Sequence, residues 1–306
     1  MAMGDAQRYS DAMACRSHGY ALFHPPRSDE LRLGMVGYVD DNGVWHQIAN
    51  LAKPEELRQK ELGAFTLPRD KDPDRMKLGP VVSGTVRGTE VALASEAEAA
   101  ALGLPLDVSG VIEYASEDSF GAILMCDDEV VIERYDVRDP FVRWLKKNHR
   151  AILRRHRDVT RYGVCIALNT WSAQHVFIRT WSGAGHSVRV GFKVGATGIG
   201  NVKPEVSYYR ASHGAGWQQF DGKRRVVFFS GVKFSYNLLG RGREDRDEAA
   251  FRGGSDAFVF EDPDDAGMAY NVKVEDFGRR VEDFGRQVNA DGEDDDVEDE
   301  EELDDY

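Results

Sequence analysis

The stretch "DVSGVIEYASEDSFGAILM" (Asp107–Met125) decides the fold class of this chain. Its side chains alternate between apolar and polar from Val108 to Tyr114, and the run from Ala122 to Met125 is continuously apolar. An alternation with a period of two sends successive side chains to opposite faces of a β-strand. The stretch therefore predicts long strands with one polar face.

The same alternation recurs on both sides of this stretch, in "VVSGTVRGTEVAL" upstream and in "GVCIALNTW", "SVRVGFKVG" and "RVVFFSGVKFSY" downstream. Asn42-Gly43 separates two apolar runs within Met35–Leu51, which predicts a β-hairpin with a type I′ turn. Few helical crossovers lie between the strand-like runs, so we expect antiparallel pairing.

Two segments are typical of helices. Lys53–Ala64 is short and charged, whereas Asp139–Arg161 begins with an Asp at the N-cap and a Pro at the first helical position. The overall expectation is an α+β fold, a large twisted and mostly antiparallel sheet with long hairpins and a few helices. A C-terminal helix and a disordered acidic tail are expected to follow this sheet.

The second predicted helix is unusually basic. On a helix, its apolar residues form a stripe that begins with Phe141 and Trp144. The rest of the helix surface carries eight cations and the single anion Asp158. Such a density of like charge favours an anionic neighbour, namely lipid head groups, nucleic-acid phosphates or the acidic tail of this chain. A solvated face whose Arg stems cover apolar surface remains an equal alternative. These cations are the candidate anion-binding residues Arg143, Lys146, Lys147, Arg150, Arg154, Arg155, Arg157 and Arg161.

The charge of the chain is divided unevenly along its length. The whole chain has 53 acidic and 39 basic residues, and Glu244–Tyr306 holds 25 of the former and 6 of the latter, which leaves 28 and 33 for residues 1–243. A basic body is thus joined to a strongly acidic C-terminal segment. Either the tail blocks the site of an anionic partner, or it only keeps the protein in solution.

An imperfect heptad repeat, "VEDFGRRVEDFGRQV" (Val274–Val288), precedes the most acidic residues. On a helix, its apolar side chains fall at a and d positions, and Glu–Arg or Asp–Arg pairs lie four residues apart. Gly278 and Gly285 weaken such a helix, so it should form only when docked. We expect either an autoinhibitory clamp or a last helix that completes the core. The docking residues would be Val274, Phe277, Val281, Phe284 and Val288.

Several function classes lack support in the sequence. Cys15, Cys126 and Cys165 form no CxxC pair, and the eight histidines include no HExxH motif. No segment is apolar for long enough to span a bilayer as a helix, and the N-terminal residues lack the apolar region of a secretory signal. We therefore expect a cytoplasmic protein that is not an enzyme and that uses no metal or cofactor.

The order of segments from Tyr20 to Tyr236 resembles the N-terminal pore-forming domain of the gasdermins. The hairpin ending in "WHQIANL", the alternating strands, the basic helix "PFVRWLKKNHRAILRRHRDV" and the later strands follow one another as they do in that family. The chain also looks similar to an uncharacterised family that is numerous in mushroom-forming fungi, through "LRLGMVGYVDDNGVWHQI" and "FGAILM…PFVRWLKKN". Residues 1–19 provide no good counterpart of the membrane-touching N-terminal helix of the gasdermins, and a large C-terminal repressor domain is missing.

The resemblance implies a latent, membrane-permeabilising cell-death or defence protein that its C-terminus holds inactive. Anionic membrane lipids would be its partners after release of the tail, copies of the chain would oligomerise, and a protease would act in the exposed segment Leu238–Ala257. The protein would then move from the cytoplasm to membranes. The alternative is a non-enzymatic binding protein whose basic helix engages nucleic acid or a protein partner, with the acidic tail as competitor. Nucleic acid is the weaker choice, because only Trp144 interrupts the basic run.

These considerations predict five parts of the chain. They are a flexible N-terminus (1–19), a β-rich gasdermin-like body (20–240), a linker (241–257), a C-terminal regulatory segment with the heptad helix (258–290) and a disordered acidic tail (291–306).

Overall fold

The computed structural model describes residues 4–14, 18–93, 95–183, 186–194, 206–211, 216–239, 257–261 and 268–278. Within these residues the fold is α+β, with antiparallel sheets and few helices, as predicted. The helices are α1 (Asp5–Met13), α2 (Pro54–Gln59), α3 (Glu96–Ala101), α4 (Asp139–Arg155) and α5 (Val159–Tyr162).

The strands fall into one large and two smaller sheets. The main sheet contains β1 (Tyr20–Ala21), β2 (Met35–Val39), β3 (Trp45–Asn50), β4 (Asp74–Lys77), β9 (Glu129–Arg134), β10 (Val164–Ala173), β15 (Arg225–Leu239), β16 (Ala257–Glu261) and β17 (Ala269–Phe277). The middle sheet contains β5 (Val81–Val82), β8 (Phe120–Cys126), β11 (Val176–Ser182) and β14 (Gln218–Phe220). The distal sheet contains β6 (Val86–Val91), β7 (Gly110–Ser116), β12 (Ser187–Val194) and β13 (Val206–Arg210).

The predicted hairpin between β2 and β3 is confirmed, but its type I′ turn is wrong. Gly43 has a φ of 74°, whereas Asn42 is not among the described residues with positive φ. The Asp40 carboxylate instead accepts hydrogen bonds from the backbone N–H groups of Asn42 and Val44, both at 2.9 Å. The Asp40 side chain thus stabilises a turn that differs from type I′, in which both central residues have a positive φ.

The predicted helix at Lys53–Ala64 is shorter than expected and ends at Gln59 as α2, with Glu61 in the left-handed region at a φ of 54°. The basic helix is divided at His156, whose non-helical backbone ends α4 before the short α5 begins. Its apolar stripe is confirmed, because it is buried on the main sheet side of the helix. The buried members of that stripe include Phe141, Trp144, Leu145, Ile152 and Val159.

The prediction of a flexible N-terminus is wrong for the helix α1. Tyr9 and Met13 are fully buried, and the Ser10 hydroxyl donates to the Ala21 carbonyl at 2.7 Å. The spacing of the buried positions, i, i+3, i+4 and i+7 from Ala6, is that of an amphipathic helix. This segment is short and rich in polar residues, so its apolar face was not recognised in the sequence.

The prediction of a helix beginning at Val274 is also wrong, because residues up to Phe277 lie in strand β17. This strand pairs antiparallel with β15 from Gly231↔Phe277 to Leu239↔Ala269, and β16 pairs with its other side. Burial alternates along it, with Tyr270, Val272 and Val274 facing the core. The long edge of β15 offers backbone hydrogen-bonding groups that a helix would leave unpaired.

Four strands of the middle and distal sheets form what we call the ribbon. In the middle sheet β8 pairs with β11 from Cys126↔Val176 to Phe120↔Ser182, and in the distal sheet β7 pairs with β12 from Ala115↔Ser187 to Gly110↔Phe192. The Arg8 guanidinium of α1 lies 4.3 Å from the centre of the ring of Phe120, the first residue of β8.

Candidate anion-binding surface and its C-terminal cover

Helix α4 is anchored to the body by a pair of reciprocal hydrogen bonds. The Trp144 indole N–H donates to the Gly63 carbonyl at 2.7 Å, and the Gly63 N–H donates to Asn148 Oδ1 at 2.6 Å. The Asn148 Nδ2 group donates to the Trp144 carbonyl within the helix at 2.8 Å. Because Asn148 is buried, these bonds fix the rotation of the helix about its axis, and hence the direction in which its cations point.

Replacing Asn148 with Leu should lower the free energy of unfolding by about 1–3 kcal/mol, because the Gly63 N–H loses its acceptor. Urea denaturation followed by circular dichroism measures this change. The control is Arg143→Gln on the exposed side of the same helix, for which about 0.5 kcal/mol or less is expected. Equal stabilities of the Asn148→Leu variant and the wild type would show that this anchor contributes nothing.

All eight predicted cations are exposed and lie on α4, on α5 or on the turn between them. We call this set the cationic surface. Among its members, Arg155 pairs with Glu61 at 2.7 Å and Arg161 pairs with Asp41. Ion pairs between exposed side chains are worth at most about 1 kcal/mol, so such pairs do not prevent these cations from binding a partner.

Strand β16 covers one side of the cationic surface with two aromatic rings. The Lys146 ammonium lies 5.8 Å from the centre of the Phe258 ring, and the Arg150 guanidinium lies 5.4 Å from that of Phe260. Cations over aromatic faces are attracted by the ring quadrupole. The C-terminal segment therefore contacts the predicted anion-binding residues through rings, in a strand that the heptad hypothesis did not include.

His149 lies beneath these rings and is 5% exposed. Its ring centre lies 4.6 Å from that of Phe260 and 5.2 Å from that of Phe258, in edge-on geometry. Its Nδ1 atom has no hydrogen-bond partner among the described residues. Burial lowers the pKa of His149 from 6.5 to about 4, and the charge of Arg150 acts in the same direction. The imidazole is therefore neutral at pH 7.

His156, at the end of the same helix, also has a lowered pKa. Burial is the main cause, and the charges of Lys60 and Arg155 reinforce it, while Asp158 opposes it. No aromatic ring contact with β16 is found for His156 among the described residues. The pKa values of His149, within α4, and of His156, directly after it, are thus shifted in the same direction, but the two residues differ in their contact with the C-terminal strand.

The predicted docking residues do not form one stripe. Val274 is buried in the core cluster beneath α4, but Phe277 points to the opposite face of the sheet, where it stacks on Tyr20 at 5.0 Å between ring centres. Residues three apart on a strand face opposite sides, whereas on a helix they share a face. Val281, Phe284 and Val288 lie outside the described residues.

The site residues predicted from the sequence do not include Phe258, Phe260 and His149. The signal for the two aromatic residues is the short apolar run in "AFVFE", which precedes an alternation with the period of a strand in "MAYNVKV". The role of His149 depends on which strand lies over it, and the helical pattern gives no information about that strand.

The distal part of the ribbon has faces of opposite character. Val188 pairs with Tyr114 and Val190 with Ile112, so these side chains share an apolar face. On the other face, the Arg189 guanidinium donates to Glu113 Oε2 at 2.9 Å, and hydrogen bonds from Ser187 and Arg189 lower the pKa of Glu113. The ribbon is therefore amphipathic, although Val111 on the polar face is buried against Leu104.

The cysteines that the structure describes are poor nucleophiles. Burial raises the pKa of the Cys165 thiol to about 12 and also raises that of Cys126, so the reactive thiolate is scarce at pH 7. The described residues contain no group of three or more His, Cys, Asp or Glu side chains placed to hold a metal ion. In the same part of the chain, no helix has the length and apolar character that spanning a membrane requires.

Comparison with known proteins finds no protein-family model and no curated protein that matches this chain.

Proposed function

We propose that the chain is a latent, gasdermin-like protein that permeabilises anionic membranes. The observation that carries this proposal is the ribbon, in which β8 pairs with β11 and β7 pairs with β12, and whose distal half has one apolar and one polar face. The sequence segments 110–126 and 176–194, which contain these strands, are each longer than the roughly 9–11 residues that a tilted strand needs to cross a bilayer. Strands cross lipid only when their backbone groups are paired, so copies of the protein would have to join their ribbons edge to edge.

The cationic surface supplies the first contact with the membrane. Each Lys or Arg near an anionic leaflet contributes roughly 1 kcal/mol before screening by salt. The helix α4 presents these charges on one exposed side, while its apolar stripe remains buried in the body. The protein would first bind lipid head groups through α4 and α5, and the ribbon would insert into the bilayer in a later step.

Latency is proposed to come from the C-terminal residues. Asp276, close to the last described residue, forms an ion pair with Arg138 at the beginning of α4, with 2.6 Å between Nε and Oδ1. The 28 residues after Gly278 carry 14 acidic and 3 basic side chains. A helix of the length of α4 is about 25 Å long, which is much shorter than 28 extended residues. The segment after Gly278 is therefore long enough to reach every cation on α4. The tail would therefore compete with anionic lipid.

Because β16 and β17 belong to the main sheet, cleavage before them would have a different effect from cleavage after them. Cleavage in the proposed segment 238–257 would leave β17 paired with β15, and β16 paired with β17. Cleavage after Gly278 would remove the acidic residues without breaking the sheet. We propose the second position for release in the cytoplasm, followed by movement to membranes and oligomerisation.

The test compares the full chain with a chain that ends at Gly278, using vesicles that contain an entrapped dye and about one third anionic lipid. The shorter chain should release the dye at least about tenfold faster, because removing a net charge of −11 restores attraction to the leaflet. Vesicles of neutral lipid are the control, and neither chain should make them leak. Equal leakage from anionic vesicles would contradict the proposal. Salt-dependent retention on nucleic acid without leakage would favour the alternative, a phosphate-binding protein.

A further inference from the structure

We infer that β16 and His149 form an acid-sensitive clasp, in which protonation of the imidazole releases the strand from the cationic surface. The inference adds regulation to the proposed function and rests on that function only for its biological meaning. The clasp itself is a property of the folded chain.

The contact between α4 and β16 depends on a neutral imidazole. His149 is 5% exposed and lies in T-shaped contact with the rings of Phe258 and Phe260, and its Nδ1 atom has no hydrogen-bond partner among the described residues. A protonated imidazole has two N–H donors that each need a partner. A buried cation without hydrogen bonds is costly, so the charged form favours the state in which β16 has lifted and water reaches the ring.

The charges around His149 do not relieve this cost. Its own helix presents cations on both sides, Lys146, Lys147 and Arg150, and these line the same surface depression as His149 and Phe258. On β16 the titratable side chain is the exposed Glu261. The strands β15 and β17 contribute the phenols Tyr236 and Tyr270 to the adjoining core, and phenols do not ionise in acid. Protonation therefore adds a positive charge where positive charge is already concentrated.

The direction of the pH dependence follows from linkage. The pKa of His149 is lowered in the clasped state, so the clasp is fully formed above the ordinary pKa and weakens as the pH falls below it. With pKa values of 6.5 for the open state and about 4 for the clasped state, the ratio of open to clasped protein rises about 30-fold between pH 7.5 and pH 5.0.

Release of β16 also changes the exposure and the charge of the cationic surface. Lys146 and Arg150 lose the rings of Phe258 and Phe260, and His149 becomes a further cation beside them. An acidified compartment or an acidic membrane surface would thus expose the surface and increase its charge in one step. The edge of β17 that pairs with β16 would become free at the same time.

The experiment measures amide hydrogen exchange of the full chain in solution, without membranes. Protection factors of residues 257–261, corrected for the intrinsic pH dependence of exchange, should fall about 30-fold from pH 7.5 to pH 5.0. Those of β10, at the centre of the main sheet, should stay constant. The window stops at pH 5.0 because the pKa of Glu275 on β17 is lowered from 4.5, so that carboxylate stays ionised throughout.

Two variants remove the titration while keeping an apolar side chain under the rings, His149→Phe and His149→Leu. In either variant that keeps the wild-type circular dichroism spectrum, the protection of residues 257–261 should not depend on pH in this window. The matched control His156→Gln removes the histidine that directly follows α4 and should keep the wild-type response. A wild-type change below threefold, or an unchanged response in the His149 variants, overturns the inference. Because no lipid is present, these outcomes are independent of whether the chain permeabilises vesicles.

Discussion

A chain that ends at residue 243 should be far less stable than one that ends at Gly278. The shorter chain lacks β16 and β17 and with them four large core side chains that are each at most 8% exposed, Phe260, Tyr270, Val272 and Val274. Burial of such side chains contributes about 1.5–3 kcal/mol each, so their loss removes roughly 6–12 kcal/mol. Because the total stability of a domain is about 5–15 kcal/mol, we expect the shorter chain to be largely unfolded or aggregated at 25 °C.

Urea denaturation and light scattering measure this difference. The chain ending at Gly278 should unfold close to the urea concentration of the full chain, because it keeps β16, β17 and their pairing with the main sheet. The chain ending at 243 also exposes the edge of β15 over nine paired positions, which favours association of copies through strand pairing. A monomeric 243-residue chain with the full-length midpoint would contradict the assignment of β16 and β17 to the core.

Replacing Arg143, Lys146 and Lys147 with Gln should weaken binding to anionic vesicles by about 100-fold in the chain ending at Gly278. The estimate follows from about 1 kcal/mol for each cation near an anionic leaflet. All three side chains are exposed, and none of them forms an ion pair with a carboxylate among the described residues, so their loss should leave the fold intact. Vesicle sedimentation at low ionic strength measures the partition coefficient.

The matched control replaces three exposed cations on other elements with Gln, namely Arg75 on β4, Arg87 on β6 and Lys223 before β15. Both triple variants have the same net charge, so a general attraction to the membrane would be reduced equally in the two. A much larger loss in the α4 variant indicates a localised contact. Equal losses would mean that the cationic surface is only a solvated face.

Much of the body could be predicted from local patterns. The hairpin β2–β3, the strands of the ribbon and the buried stripe of α4 each follow from apolar periodicity within a short window. The eight cations were identified as a group because a helix brings residues three and four apart to one side. Local periodicity decides which face of an element is apolar, whatever covers that face.

The C-terminal segment shows where such patterns fail. Residues 274–277 fit a heptad when they are grouped with the residues after them, and a strand when they are grouped with the alternation from Met268 onwards. Judged from apolar periodicity alone, the heptad and the strand fit residues 274–277 about equally well. The strand prevails in the structure because β15 has a free edge of nine residues against which it pairs. No local pattern of residues 268–277 contains information about that edge.

The sequence by itself determined the α+β class, the amphipathic strands and the concentration of positive charge on one helix, because each depends on neighbours within a few positions along the chain. Only the tertiary structure decided that Phe258 and Phe260 lie over His149, and that Val274 and Phe277 face opposite sides of a sheet. The contacts of His149 with Phe258 and Phe260, and that of Tyr20 with Phe277, join residues about 110 to 260 positions apart. They follow from the pairing of strand edges and the burial of a shared core, which act through space and leave no period in the sequence.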